Sequence, residues 1–218
     1  LAQHYSRILP AKIAIMGIAD IMNRKQSDII ELDEINKAHI YDLAEELSEI
    51  LRREENKKGL KRENKFSTGL PKYSSPDELQ SNKDKQTQFN SVERYKDRII
   101  GKPRKHRNSG KISFDGMLSA LGLIRTFTDE KNNVYVTLTE NGKEFCLFEN
   151  PIINEDYTSA LSVKESKFLV TDVLSERGLE YRLMQTAIIT VDAHSKKKTA
   201  ASITDELDIA FLNRIKKY

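Results

Sequence analysis

Apolar positions cluster toward the two ends of the chain and thin out between them. From Ile8 to Leu51 the pattern predicts helix, short strand, helix. Pro10 suits a first helical turn, where the N–H it lacks would have no partner. Ile13, Ile15, Met16, Ile18, Ile21 and Met22 then make a helix that is apolar nearly all round, as a central helix must be. Ile29-Ile30-Glu31-Leu32 reads as a short strand. Asp33 follows as the cap of a second helix, in which Ile40, Leu43, Leu47, Ile50 and Leu51 recur at three- and four-residue spacing. Only ten of the sixty residues from Arg52 to Lys111 are apolar, which predicts a long polar insertion, mobile at least over 57–88. Near its end Phe89, Val92, Tyr95, Ile99 and Ile100 have the spacing of one amphipathic helix.

Regular patterning returns at Ser113, which predicts a cap for a short helix over Phe114–Leu121, with Met117, Leu118 and Leu121 facing inward and Gly122 ending it. Leu123–Thr128 and Val134–Thr139 are β-rich and flank the polar run 129–133, the signature of a β-hairpin. Thr139 is positioned to cap a further helix through Phe145 to Phe148. After Pro151 three helices are expected, with Ser162…Glu165 and Ser202…Asp205 as capping-box starts. Phe168, Val173, Leu183, Ile188 and Phe211 are the expected core of these helices or their contact with the preceding domain. The same apolar stripes would also serve a homodimer or a protein partner. The fold class is therefore mainly α with a small β-hairpin, in two domains. The first covers 1–150, interrupted by a polar basic insertion at about 52–107, and a helical domain covers 151–218.

Composition narrows the function classes. The single cysteine, Cys146, excludes an internal disulfide framework and a multi-cysteine zinc site, and fits a reducing compartment, so a cytoplasmic location is expected. The longest apolar run, Ile13–Met22, is interrupted by Gly17 and Asp20 and falls short of the roughly 20 residues that span a bilayer, so no membrane association is expected. Beginning at Leu1 without a cleavable signal, the sequence reads as a processed chain or a fragment. The net charge of +3 decides nothing, but its distribution is uneven. Between Asp28 and Glu55 ten acids oppose three bases, a face that would repel a phosphate backbone. From Lys83 to Lys111 ten bases oppose three acids, and no acid lies between Gly101 and Lys111.

At Ser119-Ala-Leu-Gly-Leu-Ile124 and Leu138-Thr-Glu-Asn-Gly-Lys-Glu-Phe145, a short helix, a hairpin and the start of another helix follow one another, and here the chain resembles the winged helix-turn-helix family of DNA-binding domains. Together with Ile-Leu-Pro-Ala-Lys-Ile-Ala-Ile-Met at 8–16, it also resembles, more distantly, the C-terminal winged helix of archaeal origin-recognition initiator ATPases. The resemblance implies a recognition helix over 111–121 that enters the major groove and a wing, tipped by 129–133, that touches the backbone or the minor groove. Double-stranded DNA is then the partner, in transcription regulation or replication, and the protein is not an enzyme. Phosphates ask for cations, and Lys102, Arg104, Lys105, Arg107 and Lys111 supply them on the approach to the helix. Arg125 and Lys131 serve the hairpin, Asn132 and Asn133 add polar contacts, and Ser113 and Ser119 lie on the helix itself. Asp115, Asp129 and Glu130 have the wrong sign for a phosphate. The competing reading is a protein-interaction subunit or tail module of a larger nucleic-acid-processing complex, docked through the acidic second helix and the C-terminal stripes.

Other chemistry is weaker. Gly110-Lys111 fails as a phosphate-binding loop, because Lys105 stands where a glycine is needed and Ile112 where Ser or Thr is needed. Glu165-Ser-Lys167 has an acid-x-lysine spacing, but Glu165 is better explained as the capping partner of Ser162. His4, His39, His106 and His194 lack ligand spacing, and Cys146 reads as a structural thiol, so no cofactor, metal or catalytic set is expected.

Overall fold

The computed structural model describes residues 8–61, 65–71, 85–86, 92–93, 95–101, 103–105, 110, 112–114, 116–175, 178–194 and 200–216. Residues up to Glu165 form one compact unit and those from Ser166 onward another. The fold is mainly helical with a small three-stranded antiparallel sheet.

Helix α1 (Leu9–Lys25) is the core of the first unit. Leu9, Ala11, Ala14, Ile15 and Ile18 are almost completely buried, and Pro10 occupies the first turn as expected. α1 is packed against nearly every other element of the unit, which is what its all-round apolar pattern requires. Strand β1 (Ile30–Glu31) leads to Asp33, whose carboxylate accepts from the Asn36 N–H at 2.7 Å and caps α2 (Glu34–Lys57).

Two expectations about this region are corrected. α2 does not stop at Leu51 but runs six residues into the predicted insertion, its last turns bridged by Glu49–Arg53 and Glu54–Lys57 pairs. Nor is 57–88 loose throughout. The buried Glu55 carboxylate accepts from the Ser67 N–H (2.7 Å) and hydroxyl (2.6 Å), Ser48 Oγ donates to Pro71 O (2.6 Å), and Leu70 is buried, so 65–71 is docked on α2. These polar anchors turn the buried face of α2 toward Ser48 and Glu55. Leu43 and Leu47 are left half-buried and Ile50 exposed, lining with Ile13, Met16 and Ile153 an apolar groove of about 210 Å³.

Within the expected amphipathic helix, Phe89 lies outside the described residues. Lys96–Ile100 forms a π-helical turn, against α1, with Tyr95, Ile99 and Ile100 buried. Tyr95 meets Tyr41 edge-on at 6.3 Å and donates to Pro10 O at 3.4 Å.

Helix α3 (Met117–Ala120) precedes the hairpin of β4 (Ile124–Thr128) and β5 (Val134–Leu138). β5 lies in the middle of the sheet, paired with β4 through Ile124–Leu138 to Thr128–Val134 and with β1 through Ile30–Val136. Gly122 reverses the chain after α3 at φ +68°, where an L side chain would be strained. Thr139 caps α4 (Glu140–Leu147), its Oγ1 accepting from the Gly142 N–H at 3.0 Å.

The first unit extends past the expected boundary at 150 because a buried polar network binds the following loop to α1. Lys12 is fully buried, and its ammonium donates to the carbonyls of Phe145 (2.5 Å), Phe148 (2.6 Å) and Cys146 (3.2 Å) at the C-terminal end of α4. It also pairs with the buried Glu165 carboxylate at 3.1 Å. Glu165 accepts from Asn150 Nδ2 (2.9 Å) and from the Ser162 N–H (2.8 Å), while Ser162 Oγ accepts from the Glu165 N–H (3.1 Å), the capping box anticipated at the start of α5 (Val163–Phe168).

In the second unit a π-helical turn, Leu169–Leu174, leads toward α6 (Gly178–His194) and α7 (Ala200–Lys216), which form an antiparallel hairpin. α7 begins two residues before Ser202, so Ser202 lies inside the helix and is not its cap. Phe168, Leu169 and Val173 are buried, whereas Ile188, expected in a three-helix core, is 61% exposed.

Candidate nucleic-acid interface

The basic approach to the predicted recognition helix is a second β-hairpin. β2 (Pro103–Lys105) pairs antiparallel with β3 (Ile112–Phe114), with Arg104 opposite Ser113 and Lys105 opposite Ile112. Arg104 and Lys105 are exposed. Lys102, Arg107 and Lys111 lie outside the described residues.

This pairing corrects the expected helix over Phe114–Leu121. Ser113 and Phe114 are strand residues, and the helix is only Met117–Ala120, with Gly116 at its N-cap. Strand pairing with 103–105 competes with the local capping signal and takes these residues. Gly116 is required there, since a Cβ would overlap the backbone carbonyl of Ile100, and this close approach holds α3 against the π turn. The short helix buries Met117 and Leu118. Ser119 Oγ is also enclosed, with no hydrogen-bond partner among the described residues, so it does not point outward as a base contact would.

The 124–138 hairpin matches expectation more closely. Strand alternation puts Arg125 and Phe127 on the exposed face of β4, and Phe127 stacks on Tyr135 of β5 with ring centres 5.5 Å apart. The alternation that exposes Arg125 also exposes Phe127 of this aromatic pair beside it, a signal readable in the period-two pattern of the strands. At the tip, Asp129 organises the loop. Its Oδ1 accepts from the N–H groups of Lys131 (2.9 Å) and Asn133 (2.8 Å), and its Oδ2 accepts from Asn133 Nδ2 (3.0 Å) and Tyr135 Oη (3.4 Å). Desolvation raises the Asp129 carboxyl, but the hydrogen bonds from Asn133, Lys131 and Tyr135 outweigh it and hold the group below the usual carboxylate range. The acid that counted against phosphate contact is thus committed to the loop, and so is one amide donor of Asn133. Lys131 and Asn132 are exposed, Asn132 in the left-handed region at φ +64°.

Burial raises the Cys146 thiol, against the pull of Lys12, which suits a structural thiol rather than a nucleophile. His39 pairs with Asp20 at 2.7 Å on the helix surface. Among the described residues no helix is long and apolar enough to cross a membrane, and no group of three or more His, Cys, Asp or Glu is arranged to hold a metal ion. No family model, curated protein or solved structure matches the chain.

Proposed function

We propose that the first unit is a winged-helix domain that captures double-stranded DNA without catalysis, in transcription regulation or replication. The observation that carries this reading is the order of elements, helix–strand–helix and then, after the π turn and the β2–β3 hairpin, short helix–hairpin–helix, with β1 pairing on the far side of β5 from β4. Apart from the inserted π turn and β2–β3 hairpin, this is the order of elements that the resemblance to winged helices implies. The cations of two neighbouring hairpins, Arg104 and Lys105 on β2 and Arg125 and Lys131 on the wing, are the phosphate contacts. Ser119 is enclosed and α3 is a single turn, so the described part of that helix supplies no bidentate base reader. Binding is accordingly tolerant of sequence and strongly dependent on salt.

Fluorescence anisotropy with a mixed-sequence duplex tests this, comparing the wild type with Arg104→Ala/Lys105→Ala/Arg107→Ala at two salt concentrations. Salt-sensitive binding that weakens in the variant is expected. Absence of binding at low salt sinks the proposal. A second reading, a protein-docking module, is favoured by the apolar groove between α1 and α2, lined by Met16, Leu43 and Leu47, and a stoichiometric partner that protects this groove would support it.

A further inference from the structure

The C-terminal helices contain more apolar surface than they cover. No described side chain of α6 or α7 is buried, and Ile188, Ile189, Ile209, Leu212 and Ile215 are each at least half exposed. Two helices of 17 residues do not hold together on such terms, because the stability of a helix in a protein comes from packing its apolar face.

The pattern on α7 identifies what covers them. Ile209, Leu212 and Ile215 are spaced symmetrically about Leu212, with Asp208 just outside one end of the set and Lys216 just outside the other. An antiparallel copy of the same helix, related by a two-fold axis at Leu212, brings Ile209 opposite Ile215, Leu212 opposite itself and Asp208 opposite Lys216. Asp205, exposed one turn before Asp208, extends the acidic half. Acids toward the N-terminus and bases toward the C-terminus also suit the dipole of a single helix. The dipole does not account for the exposed isoleucine–leucine–isoleucine set centred between them. A two-fold axis does, since an isologous interface must be complementary to itself in both shape and charge.

We propose that α6 and α7 form a self-association surface through which two copies of this chain pair antiparallel about Leu212, making a four-helix bundle. The partner is a second copy, because the charge reversal along α7 is matched by the same helix turned end for end.

The test is sedimentation equilibrium of the full chain from low to high micromolar concentration, with Asp208→Lys, Lys216→Asp and the double swap Asp208→Lys/Lys216→Asp. Both substituted positions are exposed, and circular dichroism at concentrations where the wild type is dimeric checks that the double swap keeps the wild-type helix content. The wild type is expected to be dimeric. Each single reversal creates two like-charge pairs and weakens the dimer by about tenfold or more, and the double swap restores it. A monomer throughout the range, a dimer insensitive to the single reversals, or a double swap that fails to restore association would each overturn the proposal.

Discussion

α1 and α6 are both 17 residues long and carry ten and nine apolar residues respectively, yet their fates differ. Ten residues of α1 are buried, among them a lysine, while no described side chain of α6 is. Apolar content alone therefore does not decide burial. α1 is covered because α2, α4, β5 and the π turn each present an apolar face to it, whereas α6 meets chiefly α7, which is as exposed as itself. One unit closes its core within a single chain, and the other leaves every described side chain of its two long helices at least partly exposed, the ground on which we propose a second copy as its partner.

The sharpest way to break this contrast is to attack the buried charge in the first unit. Lys12→Met leaves Glu165 buried without its counter-charge and three carbonyls at the end of α4 without their donor, and should destabilise the first unit by about 3–5 kcal/mol in urea unfolding. Adding Glu165→Gln should recover part of that loss, since it removes the uncompensated charge. Next in size is Gly142→Ala. A Cβ there would overlap Leu123 O, where the hairpin meets α4, and the expected cost is about 3 kcal/mol. Thr139→Ala, which removes only the cap of α4, should cost about 1 kcal/mol. None of the three should alter the concentration dependence of helix loss in the second unit, which follows from association and not from the core around α1.

The smallest effect is on pH. The carboxyl of Asp129 is held below its ordinary value in the folded wing, so the stability it supplies is fully present above the unfolded carboxylate range and is lost as the pH falls through the depressed folded value. The protection factors of the Lys131 and Asn133 amides against hydrogen exchange should fall in that acidic window and stay constant between it and neutrality. Asp129→Asn should remove the dependence.

Much of this was legible in the sequence because the signals were local. Pro10 in a first turn, Asp33 and Thr139 as caps, Gly122 after a helix, the polar run 129–133 between two β-rich segments and the Ser162–Glu165 box each act within a few residues, and the structure uses every one. What stayed hidden depends on residues distant in sequence. Ser113 carries the chemistry of a helix cap, but pairing with Arg104 across the hairpin draws it into a strand. Ser67 and Pro71 sit in a segment too polar to suggest order, and it is Glu55 and Ser48 of α2 that fix them. Lys12 was a cue in plain view. A lysine on a helix apolar all round has no solvated side to turn to and must find acceptors inside, but only the fold identifies them as the end of α4 and Glu165.

The central claim is that the two hairpins bind the DNA backbone, and the salt dependence of binding measures this most directly. Each phosphate neutralised adds about 0.9 to the steepness of log affinity against log salt, so Arg104→Ala/Lys105→Ala should flatten that slope by about 2 while weakening binding to unrelated duplexes alike. A slope unchanged by losing both cations, or a loss confined to one DNA sequence, would contradict the account.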